Sequence, residues 1–143
     1  MTSSRRTLTS SLCTLRGIRT LISRAASFRK TNYLGVEVHL PGVGRALSQA
    51  QERELKNLRL VADDAVDFLK QRIADASLSE ILIEFPDPWP KKRHHRRRFV
   101  TPDHLAPLAK VLKPGAIFRV ATDIPDYVRQ TLEQVPRHGF EWL

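Results

Sequence analysis

Blocks of apolar and polar residues alternate along the chain from Asn32 onward, and they predict strands and helices in turn. The predicted strands, rich in β-branched and aromatic residues, are 33–40, 57–63, 80–85 and 116–123, with FEWL at 140–143 as the start of another. The predicted helices are 45–56, 64–73, a helix that begins at Pro102 with Thr101 as its N-cap, and 124–135. PGVG at 41–44 predicts a turn.

This alternation of strands and helices predicts βαβ units, and therefore a mostly parallel sheet. Right-handed crossovers between parallel strands place helices on both faces of such a sheet, which gives three layers. Because 143 residues suffice for one domain, the sequence predicts a single α/β domain. Ligands of these folds bind beyond the carboxyl ends of the strands, so the residues after each strand are the first candidates for a site.

Residues 1–30 differ in composition from the rest of the chain. They contain seven basic residues and eleven Ser or Thr residues but no acid, and the first acid is Glu37. An Arg-rich, Ser-rich and acid-poor segment is typical of a mitochondrial transit peptide. The same composition fits a disordered basic arm, or residues outside the natural reading frame. We therefore predict a boundary after residue 30, with a basic segment before it and the folded domain at 31–143.

Composition and charge limit the classes of function that the chain can have. No apolar run is long enough for a membrane span. The single cysteine, Cys13, excludes an internal disulfide and a cysteine-based zinc cluster. The net charge of +9 is concentrated in residues 1–30 and 91–98, because the remaining residues carry eleven bases and fifteen acids. A localised basic segment favours docking of a nucleic acid.

Four acids stand at or just after predicted strand ends, and together they predict a negatively charged rim: Glu37, Asp64, Asp87 and Asp123. An acid at the position of Glu37 is suited to binding ribose hydroxyls, and Asp64 is suited to accepting from an adenine amino group. The structural alternatives are a polar residue on the solvent face of a strand for Glu37 and a helix N-cap for Asp64.

The segment FPDPWPKKRHHRRRF at 85–99 joins a proline-rich turn to six cationic side chains. A residue before proline avoids the helical conformation, so we expect Phe85, Asp87 and Trp89 to be extended and Asp87 to be held in a fixed position. Trp89 is expected either in the core or as a platform on which a base stacks. The six Lys and Arg residues of 91–98 predict a phosphate-binding face, with a solvated charge run or a localisation signal as alternatives. Two adjacent histidines with no third ligand nearby do not predict a metal site.

Four motifs in this chain resemble those of the bacterial tRNA (guanine-N7)-methyltransferases: YLGVEVHLPGVG at 33–44, NLRLVADDAVDFL at 57–69, FPDPWPKKRHHRRR at 85–98 and ATD at 121–123. They occur in the family's order and spacing over about four-fifths of the chain. The resemblance implies an α/β, Rossmann-like class I methyltransferase fold, a three-layer sandwich with a mostly parallel sheet. It also implies S-adenosylmethionine as the methyl donor and N7 of guanine 46, in the variable loop of tRNA, as the acceptor.

Roles for individual residues are implied by the same resemblance. Glu37 and Asp64 match acids that contact the cofactor, and Asp87 matches an acid assigned to both cofactor binding and catalysis. Lys91 and Asp123 match positions that contact the substrate. The residues that match the RNA-interacting segment are Arg93, His94, His95, Arg96, Arg97 and Arg98. The implied partner is tRNA, and neither a metal nor a membrane is expected. We expect a monomer in the cytoplasm, or in mitochondria if residues 1–30 are a transit peptide.

Two motifs of the family are missing from this chain. The family has a G-x-G-x-G turn before YLGVE, where this chain has only Gly17, and a later T-x-F-E motif that does not occur here. We therefore expect a domain incomplete at both ends that binds the cofactor weakly. An alternative is a non-catalytic RNA-binding module or pseudoenzyme that uses residues 91–98. A methyltransferase for small molecules is disfavoured, because a small neutral acceptor needs no phosphate contacts.

Overall fold

The computed structural model describes residues 10–14 and 18–143, which form a five-stranded sheet with helices on both faces. The strands are β1 (Ser10–Thr14), β2 (Asn32–Val36), β3 (Leu58–Val61), β4 (Leu78–Glu84) and β5 (Leu112–Ala121). The helices are α1 (Ile18–Ser27), α2 (Leu40–Glu52), α3 (Ala65–Arg72), α4 (Pro102–Val111) and α5 (Pro125–Gln134). Two short 3-10 helices span Lys92–Arg97, called the basic 3-10 helix below, and Val135–His138.

The sheet has the strand order β3-β2-β1-β4-β5, and every pair of neighbouring strands is parallel. This confirms the predicted α/β fold with a parallel sheet. The chain builds outward from β1 through β2 to β3, and then crosses to the other side of β1 to form β4 and β5. In doubly wound sheets, ligands bind at such a reversal, beyond the carboxyl ends of the strands.

Separate apolar clusters cover the two faces of the sheet. On one face α1 and α2 pack over the sheet, and the buried residues are Leu21, Ile22, Ala25, Tyr33, Ala46, Leu58 and Leu82. On the other face α3 and α4 pack, and the buried residues are Val36, Leu69, Leu78, Ile81, Ile83, Leu108, Val111 and Leu112. The alternation of Leu82 with Ile81 and Ile83 follows from the two-residue period of a strand. β4 is therefore buried on both faces.

The sheet extends further toward the N-terminus than the sequence pattern predicted. β1 is the central strand and pairs with both β2 and β4, while α1 contributes three core residues. The predicted boundary after residue 30 is therefore wrong for 10–14 and 18–27, which belong to the same sheet and core as the rest. The polar sequence SSLCT gave no indication of a central strand, because pairing with two neighbours is a property of the tertiary structure. Residues 1–9 and 15–17, including Gly17, lie outside the described residues.

Three other element predictions differ from the structure. PGVG is not a separate turn, because Pro41 is tolerated in the first turn of α2. Thr101 precedes α4 as predicted, but its side chain makes no capping hydrogen bond, and its buried Oγ1 has no partner among the described residues. Residues 140–143 form no strand, and the sheet of the described residues ends at β5. The ring of Phe140 instead packs 5.4 Å from the ring of Phe118.

Glu80 on β4 links α1 to β5 through two arginines. Its carboxylate accepts hydrogen bonds from Arg24 at 2.8 and 3.0 Å and from Nε of Arg119 at 2.9 Å. Burial alone would raise the pKa of Glu80, but the hydrogen bonds and charges of Arg24 and then Arg119 outweigh it and lower the pKa below 4.5. Glu80 is therefore ionised in the folded protein at neutral pH.

Replacing Glu80 with Gln should lower the free energy of unfolding at pH 7 by about 2 kcal/mol, because charge-assisted hydrogen bonds to both arginines are lost. A lowered folded-state pKa contributes stability above the unfolded pKa, and that contribution is lost as pH falls through the folded pKa. The difference between the wild type and Glu80→Gln should therefore shrink below about pH 4.5.

Urea unfolding at pH 7 and at several acid pH values measures this difference. Asp75→Asn is the matched control, because Asp75 is exposed and its carboxylate lies 3.8 Å from the exposed Lys110 ammonium. A difference between the wild type and Glu80→Gln that is independent of pH would contradict the assignment.

Candidate active site and nucleic-acid interface

The four acids predicted as a rim follow four different strands at one edge of the sheet. Glu37 directly follows β2, Asp64 lies three residues after β3, Asp87 three residues after β4 and Asp123 two residues after β5. Because these strands are all parallel, their carboxyl ends lie along the same edge. The structure therefore brings acids that are distant in sequence to a common side of the domain.

Glu37 and Asp64 differ in environment. Glu37 is only 7% exposed, and its Oε1 accepts a hydrogen bond from the backbone N–H of His39 at 2.8 Å. Val38 and Leu40, beside it, are 57% and 69% exposed. Asp64 is exposed and caps α3, since its Oδ1 accepts from the N–H groups of the second and third helical residues at 3.0 Å. The capping role of Asp64 is confirmed, and its other carboxylate oxygen has no protein donor among the described residues.

The proline segment, Phe85–Pro90, departs from the extended conformation that was predicted for it. Phe85 has φ of 48° and Trp89 has φ of 41°, so both pre-proline residues avoid the right-handed helical region by adopting positive φ. A non-glycine residue in this region carries strain on the order of 1–3 kcal/mol. The prediction of an extended backbone is therefore wrong at these two residues. Asp87 lies between these two bends, and its side chain is exposed.

The basic 3-10 helix distributes its side chains over three directions, because residues i and i+3 eclipse in this geometry. His94 and Arg97 share the first direction and both contact Trp89, with the imidazole at 5.9 Å from the indole and the guanidinium at 5.0 Å. His95 and Arg98, the residue that directly follows the helix, share the second direction, and both lie against the carboxylate of Asp126 on α5. The third direction carries Arg93 and Arg96, which are exposed.

Trp89 is half-buried and belongs to none of the apolar clusters. The structure therefore does not place it in the core, which was one of its two predicted locations. Its ring is instead covered by Arg97, through a cation–π contact, and by His94, through an edge-on ring contact. The bases that remain exposed at this edge are Lys91, Lys92, Arg93, Arg96 and Arg97. Asp123, the other predicted substrate contact, is exposed as well.

Arg98 is not part of the exposed basic surface. Its residue is 1% exposed, and its guanidinium donates at 2.8 Å to the carbonyl oxygen of Pro88, to Oε1 of Gln130 and to Oδ2 of Asp126. It also lies over the ring of Tyr127 at 5.2 Å. The prediction that Arg98 contacts RNA is therefore wrong, because every donor nitrogen points into the protein.

Three side chains on α5, which the sequence did not single out, anchor residues 98–100 at the end of the basic 3-10 helix: Asp126, Tyr127 and Gln130. The hydroxyl of Tyr127 accepts hydrogen bonds from the backbone N–H groups of Phe99 (3.1 Å) and Val100 (3.4 Å). Burial raises the pKa of Tyr127, and the hydrogen bond from Arg98 lowers the pKa of Asp126. Their spacing places them on one side of α5, but the sequence did not show which segment that side contacts.

No group of three or more His, Cys, Asp or Glu residues that could hold a metal ion occurs among the described residues. Within the same residues, no helix is both long and apolar enough to cross a membrane.

A model of the protein family described as "Putative methyltransferase" matches residues 10–143. This chain belongs to that methyltransferase family. It is 56% identical over 123 residues to a tRNA (guanine-N(7)-)-methyltransferase of Ruegeria pomeroyi, covering 86% of this chain and 52% of the relative. A protein of the same name from Paracoccus denitrificans is 50% identical over 121 residues, covering 85% of this chain and 52% of that relative. The chain thus spans about half the length of the curated relatives it matches.

Solved structures of methyltransferases share the fold of this family member at low sequence identity. Precorrin-6y C5,15-methyltransferase from Geobacter metallireducens has a TM-score of 0.72 at 12% identity, covering 94% of this chain and 64% of that one. A 16S rRNA (adenine(1408)-N(1))-methyltransferase from Catenulisporales acidiphilia has a TM-score of 0.64 at 16% identity, covering 91% and 73%. These similarities confirm the Rossmann-like methyltransferase fold.

Replacing Tyr127 with Phe should destabilise this methyltransferase domain by about 1–3 kcal/mol, because the N–H groups of Phe99 and Val100 lose their acceptor. Urea unfolding measures the loss, and amide hydrogen exchange should accelerate at residues 99 and 100. Tyr33→Phe is the matched control, since the Tyr33 hydroxyl has no hydrogen-bond partner among the described residues. Equal effects of the two substitutions would contradict the anchoring role of Tyr127.

Proposed function

We propose that this chain takes part in the S-adenosylmethionine-dependent methylation of guanine N7 in tRNA, at position 46 of the variable loop. The observation that carries this proposal is the arrangement at the carboxyl edge of the sheet. There Asp87 and the exposed bases of 91–97 lie in one connection, between β4 and α4. The names of the bacterial relatives support the substrate and the reaction.

The residues at this edge fit the chemistry of S-adenosylmethionine. Glu37 presents a nearly buried carboxylate whose Oε1 is fixed by the His39 N–H, which suits it to accept from ribose hydroxyls. Val38 and Leu40 beside it offer apolar surface for a purine ring. Asp64 has a carboxylate oxygen available for an amino group. These residues and Asp87 are the ones that would hold the cofactor, which when bound supplies a methyl group on a sulfonium.

The proposed reaction needs no general base. Guanine N7 carries a lone pair, so the N7–C bond would form as the C–S bond breaks, and no proton would have to leave the guanine. Positive charge passes to the purine during this displacement, and a fixed carboxylate can stabilise it without reorganising. Asp87 is suited to this role, because it is held between two backbone bends at the carboxyl edge.

The exposed Lys and Arg side chains of 91–97 would bind the phosphates of tRNA beside Asp87. Single-stranded loops of folded RNA are recognised when their phosphates are held on a basic surface and their bases are exposed. The five exposed bases of 91–97 provide such a surface. Because Trp89 is covered by His94 and Arg97, it is less suited to stacking on a base than the sequence indicated.

We infer a cytoplasmic location, in which residues 1–30 are kept rather than removed as a transit peptide. A transit peptide is removed after import, and removal of residues 1–30 would take away the central strand β1 and the helix α1. The sheet would then lose the strand that joins β2 to β4.

Asp87→Asn removes the charge but keeps the shape of the side chain, and it should lower kcat for methyl transfer by about 100-fold. Transfer of tritiated methyl groups to unmodified tRNA measures this. Asp75→Asn is the control, because Asp75 is an exposed acid that precedes β4 at the opposite edge of the sheet. Full activity of Asp87→Asn would refute the role of Asp87.

Replacing Arg93 and Arg96 with Gln should weaken tRNA binding and flatten its dependence on salt concentration. The expected change in slope is about one unit per lost phosphate contact. Filter binding at several salt concentrations measures it, with Arg72→Gln, an exposed base at the end of α3, as the control. An unchanged slope would contradict the basic surface. Salt-sensitive binding by a wild-type chain that transfers no methyl group would favour a non-catalytic RNA-binding module instead.

A further inference from the structure

The buried guanidinium of Arg98 joins two separate parts of the carboxyl edge. On one side it donates to the carbonyl oxygens of Pro88 at 2.8 Å and Trp89 at 3.5 Å, within the proline segment. On the other side it donates to the side chains of Asp126 and Gln130 on α5, both at 2.8 Å. Each of its three nitrogens therefore has a partner, and the two sets of partners lie on different elements.

The proline segment depends on donors from elsewhere. Pro86, Pro88 and Pro90 have no backbone N–H group, so these residues cannot donate the ladder or turn hydrogen bonds that usually fix a loop. Instead, the carbonyl oxygens of residues 88 and 89 accept from Arg98, and that of Pro90 lies 3.4 Å from Nε2 of His95. The positive φ angles of Phe85 and Trp89 add strain that an external contact must balance.

The contacts of Arg98 connect the elements that carry Asp87 and Asp123. Pro88, whose carbonyl is bound, directly follows Asp87 in the chain. Asp126, which binds the other side of the guanidinium, lies three residues after Asp123, in the first turn of α5. Asp87 follows β4 and Asp123 follows β5, so Arg98 links the connections that leave these two neighbouring strands.

We propose that Arg98 is a positioning residue that holds the Asp87 segment in register with Asp123 and with the exposed bases of the basic 3-10 helix. This inference rests on the proposed function, in which Asp87 acts on the reacting guanine and the exposed basic side chains bind RNA. A planar guanidinium is required, because it donates in several fixed directions at once, whereas a lysine ammonium is a point charge on a flexible stem. Arg98→Lys therefore keeps the charge but loses the link between the two elements.

The first arm of the test measures kinetics. Arg98→Lys should lower kcat for methyl transfer by about 100-fold, as expected when a reacting group is misplaced by about 1 Å. The KM for tRNA should change much less than kcat, because the hydroxyl of Tyr127 still holds the backbone at Phe99 and Val100, next to the exposed basic residues. In an Asp87→Asn background, Arg98→Lys should cause no further fall in kcat, since both changes act through the same group. Additive effects of the two changes would overturn the proposal.

The second arm does not depend on activity. Trp142→Phe leaves Trp89 as the only tryptophan, so acrylamide quenching of its fluorescence reports the proline segment directly. Arg98→Lys in this background should raise the quenching constant toward that of the urea-unfolded chain, while the urea midpoint still indicates a folded protein. Unchanged quenching in a folded Arg98→Lys protein would overturn the proposal. If the wild type transfers no methyl group, the proposed function fails, and this arm still decides whether Arg98 holds the segment.

Two further variants complete the design. Asp126→Asn removes the charge of a half-exposed partner and should change kcat and quenching in the same direction as Arg98→Lys, to a smaller extent. It also keeps the test decisive if Arg98→Lys fails to fold. Arg72→Lys is the matched control, because it makes the same substitution at an exposed site on α3 and should change neither measurement. An Asp126→Asn protein with wild-type kcat and quenching would count against the link through α5.

Discussion

All described strands run in the same direction, and the position of every candidate functional group depends on this constraint. Parallel strands bring their carboxyl ends to one edge, so acids that follow four different strands face the same side of the domain. Each parallel pair requires a crossover helix, and α1 to α4 bury both faces of the sheet in doing so. The polar groups at the edge are consequently carried by connections whose ends are fixed by a packed core.

The basic 3-10 helix and Arg98 together have two structural roles because of the 3-10 geometry. A period of three residues separates the six consecutive side chains of residues 93–98 into three directions. One direction covers Trp89, one contacts α5, and one faces the solvent. An α-helix of the same sequence would spread these side chains over more directions, so its anchoring residues and its exposed bases would be less clearly separated. Residues 91–98 thus provide an exposed basic surface that suits a polyanion, and His95 and Arg98 attach this surface to α5.

The proline segment illustrates how one motif creates a need that another satisfies. Its prolines restrict the backbone around Asp87, but they also remove the N–H groups that would normally fix a loop. Arg98 and His95 supply donors to its carbonyl oxygens from the adjoining basic segment. The prolines and the basic residues are therefore adjacent in sequence for a structural reason, since the basic side chains donate to the proline segment. This adds to the proposed chemical reason, the binding of phosphates beside Asp87. The buried charge of Arg98 is tolerated because a carboxylate, an amide and two carbonyl oxygens surround it.

The sequence by itself determined the α/β class, most of the strands and helices, and the positions of the four acids after strands, because these depend on local periodicity. It also identified the Asp64 cap, whose hydrogen bonds lie within three residues of it. The central strand β1 was missed, because SSLCT is polar and only its two neighbours define it. The tertiary structure alone decided that Arg98 is buried while Arg93 and Arg96 are exposed. Six similar bases are indistinguishable in sequence, and their environments depend on which of them reaches α5.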